Sequence, residues 1–164
     1  LVSSAEPPDL VLTTGGVSVG KKDIMHGVVP ALGAERLFWR VCMKPGAPAI
    51  AYTRGRMLGI ALSGNPFAAY ATFELMARPA IARLAGETDV LMPRRRAVLA
   101  DAFPKTCHGR RFLRARMEAD GRVSLPDQHA SGSLFSAAGC DAFVDVPAGT
   151  PPLAAGTAVD VVIL

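Results

Sequence analysis

The chain is organised around the stretch Thr13-Thr14-Gly15-Gly16-Val17-Ser18-Val19-Gly20-Lys21-Lys22-Asp23. It follows the apolar run Leu10-Val11-Leu12, which has the length and composition of a buried strand, and it ends at Asp23, a candidate helix N-cap. A strand that enters a glycine-rich loop before a helix is a common anion-binding arrangement. Glycine lets the main chain approach a ligand, and helix N-termini carry a partial positive charge. A plain turn is the alternative that this loop alone leaves open.

The composition is that of a soluble globular protein, with half of the 164 residues hydrophobic and a fifth charged. The length suffices for one ordinary domain or two small ones. The net charge of +4 and the pI near 9.3 suit an anionic ligand. Aromatic residues are few and are not interleaved with basic ones, so we expect no nucleic-acid partner. No apolar run approaches the roughly 18 residues of a membrane span and no signal-peptide pattern is visible, so we expect a cytoplasmic protein without membrane contact.

The cysteine spacing indicates neither a disulfide framework nor a structural zinc site. Cys42, Cys107 and Cys140 are far apart and odd in number, which is typical of free cytosolic thiols. The three histidines are scattered and no Cys-x-x-Cys pair occurs.

A second loop precedes the strongest helix pattern of the chain. It has the sequence Ser63-Gly64-Asn65-Pro66, in which Asn65 is a favoured N-cap and Pro66 a favoured first helical residue. Apolar residues then recur at helical spacing, at Phe73, Ala77, Ile81 and Leu84. Pro79 should bend this helix, because it cannot donate to the carbonyl of Leu75.

The segments between the two loops predict a short helix and three strands. Residues 23–32 form the helix, which Gly33 ends, and residues 36–43 form a strand that leads into a type II turn at Lys44-Pro45-Gly46. Residues 49–53 and 57–62 read as a β-hairpin or as adjacent strands. Both glycine-containing loops therefore follow apolar strands. Ligands in open α/β sheets sit at the carboxyl ends of strands, so both loops can face one crevice.

The pattern changes after Gly86 to short strand-like runs without a long helical period. We expect a small all-β domain over residues 92–164, with strands at 97–102, 112–117, 123–125, 142–146 and 158–164. Arg94-Arg95-Arg96 is interpreted as the solvated end of a linker, and Trp39 and Met43 as core residues.

Three linked motifs together resemble the molybdopterin molybdotransferases, the MoeA family that includes the gephyrin E domain. They are the glycine loop with Asp23, Lys44-Pro45-Gly46 followed by Pro48, and Ser63-Gly64-Asn65-Pro66, in compatible order over residues 9–86. The resemblance implies the C-terminal part of a three-layer molybdopterin-binding (MogA-like) α/β domain at residues 1–88, followed by the small β domain. Leu1 to Asp9 look like the end of an element, so we expect upstream strands outside this sequence.

The resemblance implies a step in molybdenum cofactor synthesis. Such enzymes insert molybdenum from molybdate into adenylylated molybdopterin and release AMP. The glycine loop would cradle the phosphate or pyrophosphate, and Asp23 would hold a bridging Mg²⁺, whose preferred ligands are oxygens. The alternative is that Asp23 only caps its helix. The residues implied to bind the pterin are Thr14, Gly15, Gly16, Ser18, Gly20, Ser63, Gly64, Asn65, Pro66, Arg110 and Ser131.

Two basic residues are implied to act on the charged groups of the substrate. Lys44 matches the lysine before Pro-Gly in the family and is assigned to phosphate or molybdate, and Arg40 replaces a residue that is often lysine. A solvated charge beside a turn is the alternative for both. Ser63 departs from the proline usual in the family, which puts the geometry of the second loop in question. Structural turns are the alternative around Arg110 and Ser131.

The family resemblance also implies a homodimer and an upstream molybdopterin adenylyltransferase as the functional partner. Because the first half of the α/β domain and two N-terminal domains of the family are absent from this sequence, we expect the chain alone to have little or no transferase activity. Two alternatives stay open: an adenylyltransferase-like enzyme, against which the glycine-loop sequence and the trailing β domain argue, and a catalytically silent interaction module.

Overall fold

The computed structural model describes residues 6–20, 23–126 and 137–164. The chain divides into two compact units. The first unit consists of Leu1–Val41 and Gly46–Val90, and the second of Cys42–Pro45 and Leu91–Leu164. Each unit has its own buried core, so each is described by itself.

The first unit contains a four-stranded sheet in the order β1-β4-β3-β2. Strands β1 and β4 are parallel, whereas β3 is antiparallel to both of its neighbours. The elements in chain order are β1 (Leu10–Thr14), α1 (Met25–Ala31), β2 (Glu35–Trp39), β3 (Ile50–Arg54) and β4 (Met57–Leu62). Gly33 follows α1 with a positive φ of 63°, as predicted for the residue that stops this helix.

Both faces of the sheet are covered, which gives the three-layer arrangement expected from the sequence. Met57 and Ala61 of β4 pack with Met25 and Val29 of α1 on one face. The alternate residues of the same strand, Ile60 and Leu62, pack on the other face with residues of the helix that follows β4. A strand buried on both faces needs a nearly continuous apolar sequence, and Met57–Leu62 has one.

The helix after β4 is continuous but changes its pitch in the middle. It consists of α2 (Pro66–Thr72), a π-helical segment (Phe73–Ala77) and α3 (Arg78–Leu84). The N–H of Arg78 donates to the carbonyl of Phe73, five residues back, just before Pro79, which has no N–H to donate. The proline therefore coincides with a widened turn. The predicted apolar face ends early, because Ile81 and Leu84 are exposed while Ala80 packs with Ala77.

The second unit is a closed five-stranded barrel in the order β5-β7-β6-β8-β9. Its strands are β5 (Arg94–Leu99), β6 (Arg111–Met117), β7 (Arg122–Ser124), β8 (Ala142–Val146) and β9 (Ala158–Ile163). Side chains alternate along β8, where Ala142, Val144 and Val146 fill the interior. The interpretation of Arg94-Arg95-Arg96 as a linker end is wrong, because these residues belong to strand β5 and pair with β9. The same strand continues into Ala97 and Leu99, which are part of the barrel core.

In the part of the chain that the structure describes, no helix is long and apolar enough to cross a membrane. The three cysteines all lie in that part and form no disulfide.

Candidate functional site

The two glycine-containing loops start side by side at one edge of the sheet. Strands β1 and β4 are parallel neighbours, and their last residues, Thr14 and Leu62, are paired in register. The N–H of Gly15 then donates to the carbonyl of Leu62 at 2.9 Å, which carries the pairing one residue beyond the strands. The loop of residues 15–20, called the glycine loop below, therefore begins against the loop of residues 63–66, called the Asn-Pro loop.

The closest approach of the two loops is between glycines. A Cβ atom added to Gly64 would lie 3.2 Å from the Cα atom of Gly15, which is tighter than ordinary van der Waals contact. Gly15 and Gly16 have positive φ angles of 84° and 71°, which side-chain-bearing residues rarely adopt. The glycines are thus required for the backbones of the two loops to meet.

We expect Gly64→Ala to lower the free energy of unfolding by about 1 kcal/mol, because the added methyl group pushes the two loops apart. The measurement is urea unfolding of the 164-residue chain. Gly27→Ala is the matched control: Gly27 lies inside α1, where an added methyl group would meet nothing within 4 Å, so this change should stabilise the chain by about 0.5 kcal/mol. Shifts of the same sign and size in both variants would contradict the close packing of the loops.

Asp23 closes the glycine loop and does not cap the helix. Helix α1 begins at Met25, and its N-cap position is held by Ile24, whose side chain makes no capping hydrogen bond. The Asp23 carboxylate instead accepts from the N–H of Gly20, while the N–H of Asp23 donates to the carbonyl of Gly20 at 2.9 Å. The prediction that Asp23 is the helix N-cap is therefore wrong. A short carboxylate side chain can accept from a nearby loop N–H instead of from the N–H groups at the start of the helix.

Two aromatic side chains hold the carbonyl groups of the glycine loop. Trp39, at the end of β2, donates its indole N–H to the carbonyl of Val17 at 3.0 Å. His26, in α1, places Nε2 at 2.9 Å from the carbonyl oxygen of Ser18, and Nε2 must be the donor because the carbonyl can only accept. The two rings touch edge to face, with centroids 4.7 Å apart. The sequence patterns assigned no role to His26. They predicted Trp39 to be a core residue, and it is partly buried and packs against the core cluster of the first unit.

The Asn-Pro loop caps its helix as predicted. The side-chain oxygen of Asn65 accepts from the N–H of Ala68 at 3.2 Å, and Pro66 occupies the first turn. The hydroxyl of Ser63, the residue that departs from the family pattern, accepts from the N–H of Asn65 at 3.3 Å. A proline at position 63 has no hydroxyl for this contact, so Ser63 adds a bond inside the loop.

Arg40 is held in an unusual backbone conformation. It has a φ of 72°, the only positive φ of a non-glycine residue in the described ranges. This conformation costs about 1–2 kcal/mol. It also ends β2 at Trp39, whereas the sequence predicted that the strand would continue to Met43. The exposed guanidinium lies 5.5 Å from the centroid of the Trp39 ring. Strained backbone angles of this kind cluster at active sites and ligand-binding residues.

Lys44 belongs to the second unit, where its main chain pairs with the start of β6 as an isolated parallel bridge to Arg111. Its N–H donates to the carbonyl of Arg110 at 2.9 Å, and its carbonyl accepts from the N–H of Phe112 at 2.8 Å. The Lys44–Pro45 peptide bond is cis, and Gly46 has a positive φ of 92°. The carbonyl of Lys44 bonds to Phe112 and does not close the predicted type II turn. The exposed lysine side chain therefore starts from a main chain that is fixed beside Arg110.

The guanidinium of Arg110 is engaged with Asp145 of β8. Nε and Nη2 donate to the two carboxylate oxygens at 2.8 and 2.6 Å, and Arg94 adds a third bond to the same carboxylate at 2.8 Å. Burial raises the pKa of Asp145, but the hydrogen bonds from Arg110 and Arg94 outweigh it and hold that pKa below its ordinary value. In this structure the Arg110 side chain is therefore one partner of an ion pair within the barrel. Ser131 lies outside the described residues.

A magnesium ion would find one carboxylate at the glycine loop. Asp23 carries the only carboxylate of the stretch from Thr13 to Asp23. Within residues 6–20, 23–126 and 137–164, no three His, Cys, Asp or Glu side chains are grouped as a metal would require. Mg²⁺ often binds to one or two carboxylates together with water and substrate phosphates, so the loop fits an ion that arrives with a phosphorylated ligand.

The unit with the covered sheet and the unit with the closed β barrel each match a family of known domains. Residues 1–83 match the family model described as a probable molybdopterin binding domain, and residues 96–164 match the model described as the MoeA C-terminal region (domain IV). The chain belongs to the MoeA family, as the three sequence motifs implied.

Similar proteins agree with this assignment. Molybdopterin molybdenumtransferase of Staphylococcus aureus (strain Mu50 / ATCC 700699) is 35% identical over 162 residues, which cover 96% of this chain and 38% of that protein. The protein of the same name from Staphylococcus epidermidis (strain ATCC 12228 / FDA PCI 1200) is 35% identical over 159 residues, which cover 94% of this chain and 38% of that protein. The crystal structure of a molybdopterin biosynthesis protein from Pyrococcus horikosii shows the same fold, with a TM-score of 0.78 and 24% identity over 94% of this chain and 37% of that one. The chain thus spans less than two fifths of these relatives.

Proposed function

We propose that this chain contributes the pterin-phosphate site of a molybdopterin molybdotransferase, which inserts molybdenum from molybdate into adenylylated molybdopterin and releases AMP. The observation that carries the proposal is the meeting of Gly15 and Gly64 at the carboxyl ends of β1 and β4. Two backbones in contact at this edge present main-chain donors from both loops to one ligand, and strand ends are where open α/β sheets bind ligands.

The proposed mechanism is positioning and charge neutralisation. Thr14 and the glycine-loop residues Gly15, Gly16, Ser18 and Gly20 hold the phosphate or pyrophosphate, and the start of α2 at Asn65 and Pro66 favours negative charge nearby. Arg40 is assigned to the molybdate oxyanion and Lys44 to phosphate or molybdate. Held charges of this kind stabilise the negative charge that develops as the pyrophosphate is cleaved.

Asp23 is the residue that would hold Mg²⁺ in this proposal. The ion would supply a positive charge that polarises the pyrophosphate. The Asp23 carboxylate already accepts from the N–H of Gly20. This hydrogen bond holds the carboxylate beside the glycine loop, where the phosphate is proposed to bind. A homodimer and delivery of the substrate by an adenylyltransferase are further parts of the proposal.

The proposal predicts binding without efficient turnover by the 164-residue chain. Molybdopterin and its adenylylated form should quench or shift fluorescence saturably on binding. Turnover with molybdate should be far below that of the S. aureus relative, of which the chain matches only 38%. Absence of saturable binding of either pterin would overturn the proposal and favour a catalytically silent interaction module.

The role proposed for Lys44 can be tested against a matched control lysine in the second unit. We expect Lys44→Ala to weaken binding of adenylylated molybdopterin about tenfold, the usual worth of one charge-assisted hydrogen bond. Lys105→Ala removes another exposed lysine and should leave affinity unchanged. Equal losses in the two variants would mean that only the net charge of the protein matters.

A further inference from the structure

We propose that His26 and Trp39 are positioning residues that fix the peptide groups of the glycine loop so that the N–H groups of Ser18 and Val19 face the ligand. The inference rests on the proposed function, since it states how that anion site is kept in shape.

Three successive carbonyl groups of the loop are held by hydrogen bonds. The carbonyl of Gly16 accepts from the N–H of Met25 at 3.0 Å, and the next two accept from Trp39 and His26 as described above. In a planar trans peptide the C=O of one residue and the N–H of the next point in opposite directions. The N–H groups that follow the held carbonyls of Val17 and Ser18 are therefore turned away from the two rings.

These two N–H groups are available to a ligand. Among the described residues, neither the N–H of Ser18 nor that of Val19 has a hydrogen-bond acceptor. The loop is anchored at Val17, which is 2% exposed, and it projects at Val19, which is 78% exposed. Successive main-chain donors directed to one side form a concave anion site.

The side-chain rings of His26 and Trp39 restrict each other's orientation. The planes of His26 and Trp39 meet at 84°, an edge-to-face contact in which each ring limits the rotation of the other. His26 follows the buried Met25 in α1, and Trp39 ends β2, so the rings are placed by regular elements and not by the loop itself.

The experiment measures the affinity of the 164-residue chain for molybdopterin, with inorganic pyrophosphate as a second probe, together with amide NMR of the loop. His26→Leu, which removes the donor at similar size, should weaken binding about fivefold. It should also shrink the ligand-induced shifts of the Ser18 and Val19 amides. His26→Gln, which keeps a donor, should recover most of the affinity. His108→Leu, at an exposed histidine of the second unit, should change nothing.

The outcomes separate this inference from the function on which it rests. A wild-type chain that binds neither molybdopterin nor pyrophosphate overturns both. A wild-type chain that binds, with unchanged affinity and unchanged amide shifts in His26→Leu, overturns the inference alone. If His26→Leu does not fold, Trp39→Phe decides in its place. It keeps a ring but removes the N–H to Val17, and it should weaken binding to a similar extent.

Discussion

Gly59→Ala is expected to lower the free energy of unfolding by about 3 kcal/mol, at the upper end of the cost of overpacking a core. A Cβ atom at Gly59 would lie 2.0 Å from Cζ of Tyr52 and 2.3 Å from a second ring carbon. The two residues are directly opposite each other in the antiparallel pair of β3 and β4, so the ring lies flat over the glycine. Real atoms do not approach this closely, so either the ring or the strand must move.

The ring has no room to move. Tyr52 is 2% exposed and belongs to the cluster that packs β3 and β4 against α1. Burial also raises the pKa of Tyr52. The alternative is a shift of β4, and β4 ends at Leu62, whose carbonyl anchors the glycine loop through Gly15. The substitution should therefore weaken pterin binding as well as stability.

A double-mutant cycle tests the physical reason for this loss. In a Tyr52→Val background, Gly59→Ala should cost less than about 1 kcal/mol, because no ring remains for the methyl group to meet. Gly27→Ala serves again as the glycine control, since its methyl group has free space. A cost for Gly59→Ala that is the same with and without the Tyr52 ring would show that the clash is not the cause.

Local patterns were sufficient to predict most of the elements. Strand β8 has the bounds that were predicted, Ala142–Val146, because an apolar run between turn residues needs no knowledge of its partners. The second loop was predicted for the same reason, since the cap made by Asn65 involves only residues three positions away. The shared sheet edge followed from the general rule about strand ends.

Contacts between distant residues account for what was missed. Arg94 was assigned to a linker because its strand is specified by pairing with Val162, far along the chain. The anchoring of Val17 by Trp39 joins residues 22 positions apart, and no periodic signal marks a tryptophan that needs an acceptor. Arg40 shortens β2 through a backbone angle that arginine rarely adopts, so no propensity could predict it.

The ion pairs of Asp145 with Arg94 and Arg110 also join residues that are far apart in the sequence. Loss of these ion pairs is the second change for which we expect a large effect on stability. We expect Asp145→Asn to lower the free energy of unfolding by about 2 kcal/mol at pH 7. The variant loses the charge that Arg110 and Arg94 share. The loss is smaller than for a fully buried pair, because the two arginine side chains are 48% and 53% exposed and water can solvate them again.

The effect of Asp145→Asn should disappear in acid. The pKa of Asp145 is lower in the folded protein than its ordinary value near 3.9, so its contribution to stability is complete above that value. As the pH falls through the folded pKa, the wild-type carboxyl is protonated and comes to resemble the amide of the variant. Urea unfolding at pH 7, 5 and 3 should therefore show a gap between wild type and variant that is constant from pH 7 to 5 and narrows at pH 3.

Asp160→Asn is the matched control, because it removes a carboxylate of the same barrel that pairs with an arginine in solvent. The Arg96–Asp160 pair spans 3.3 Å, with side chains 67% and 50% exposed, so its loss should cost less than about 0.5 kcal/mol at every pH. Equal costs for the two substitutions, or a gap for Asp145→Asn that is as large at pH 3 as at pH 7, would contradict the assignment. The two aspartates differ in burial and in the number of partners, because Asp145 is buried and accepts from two arginines whereas Asp160 is exposed and accepts from one.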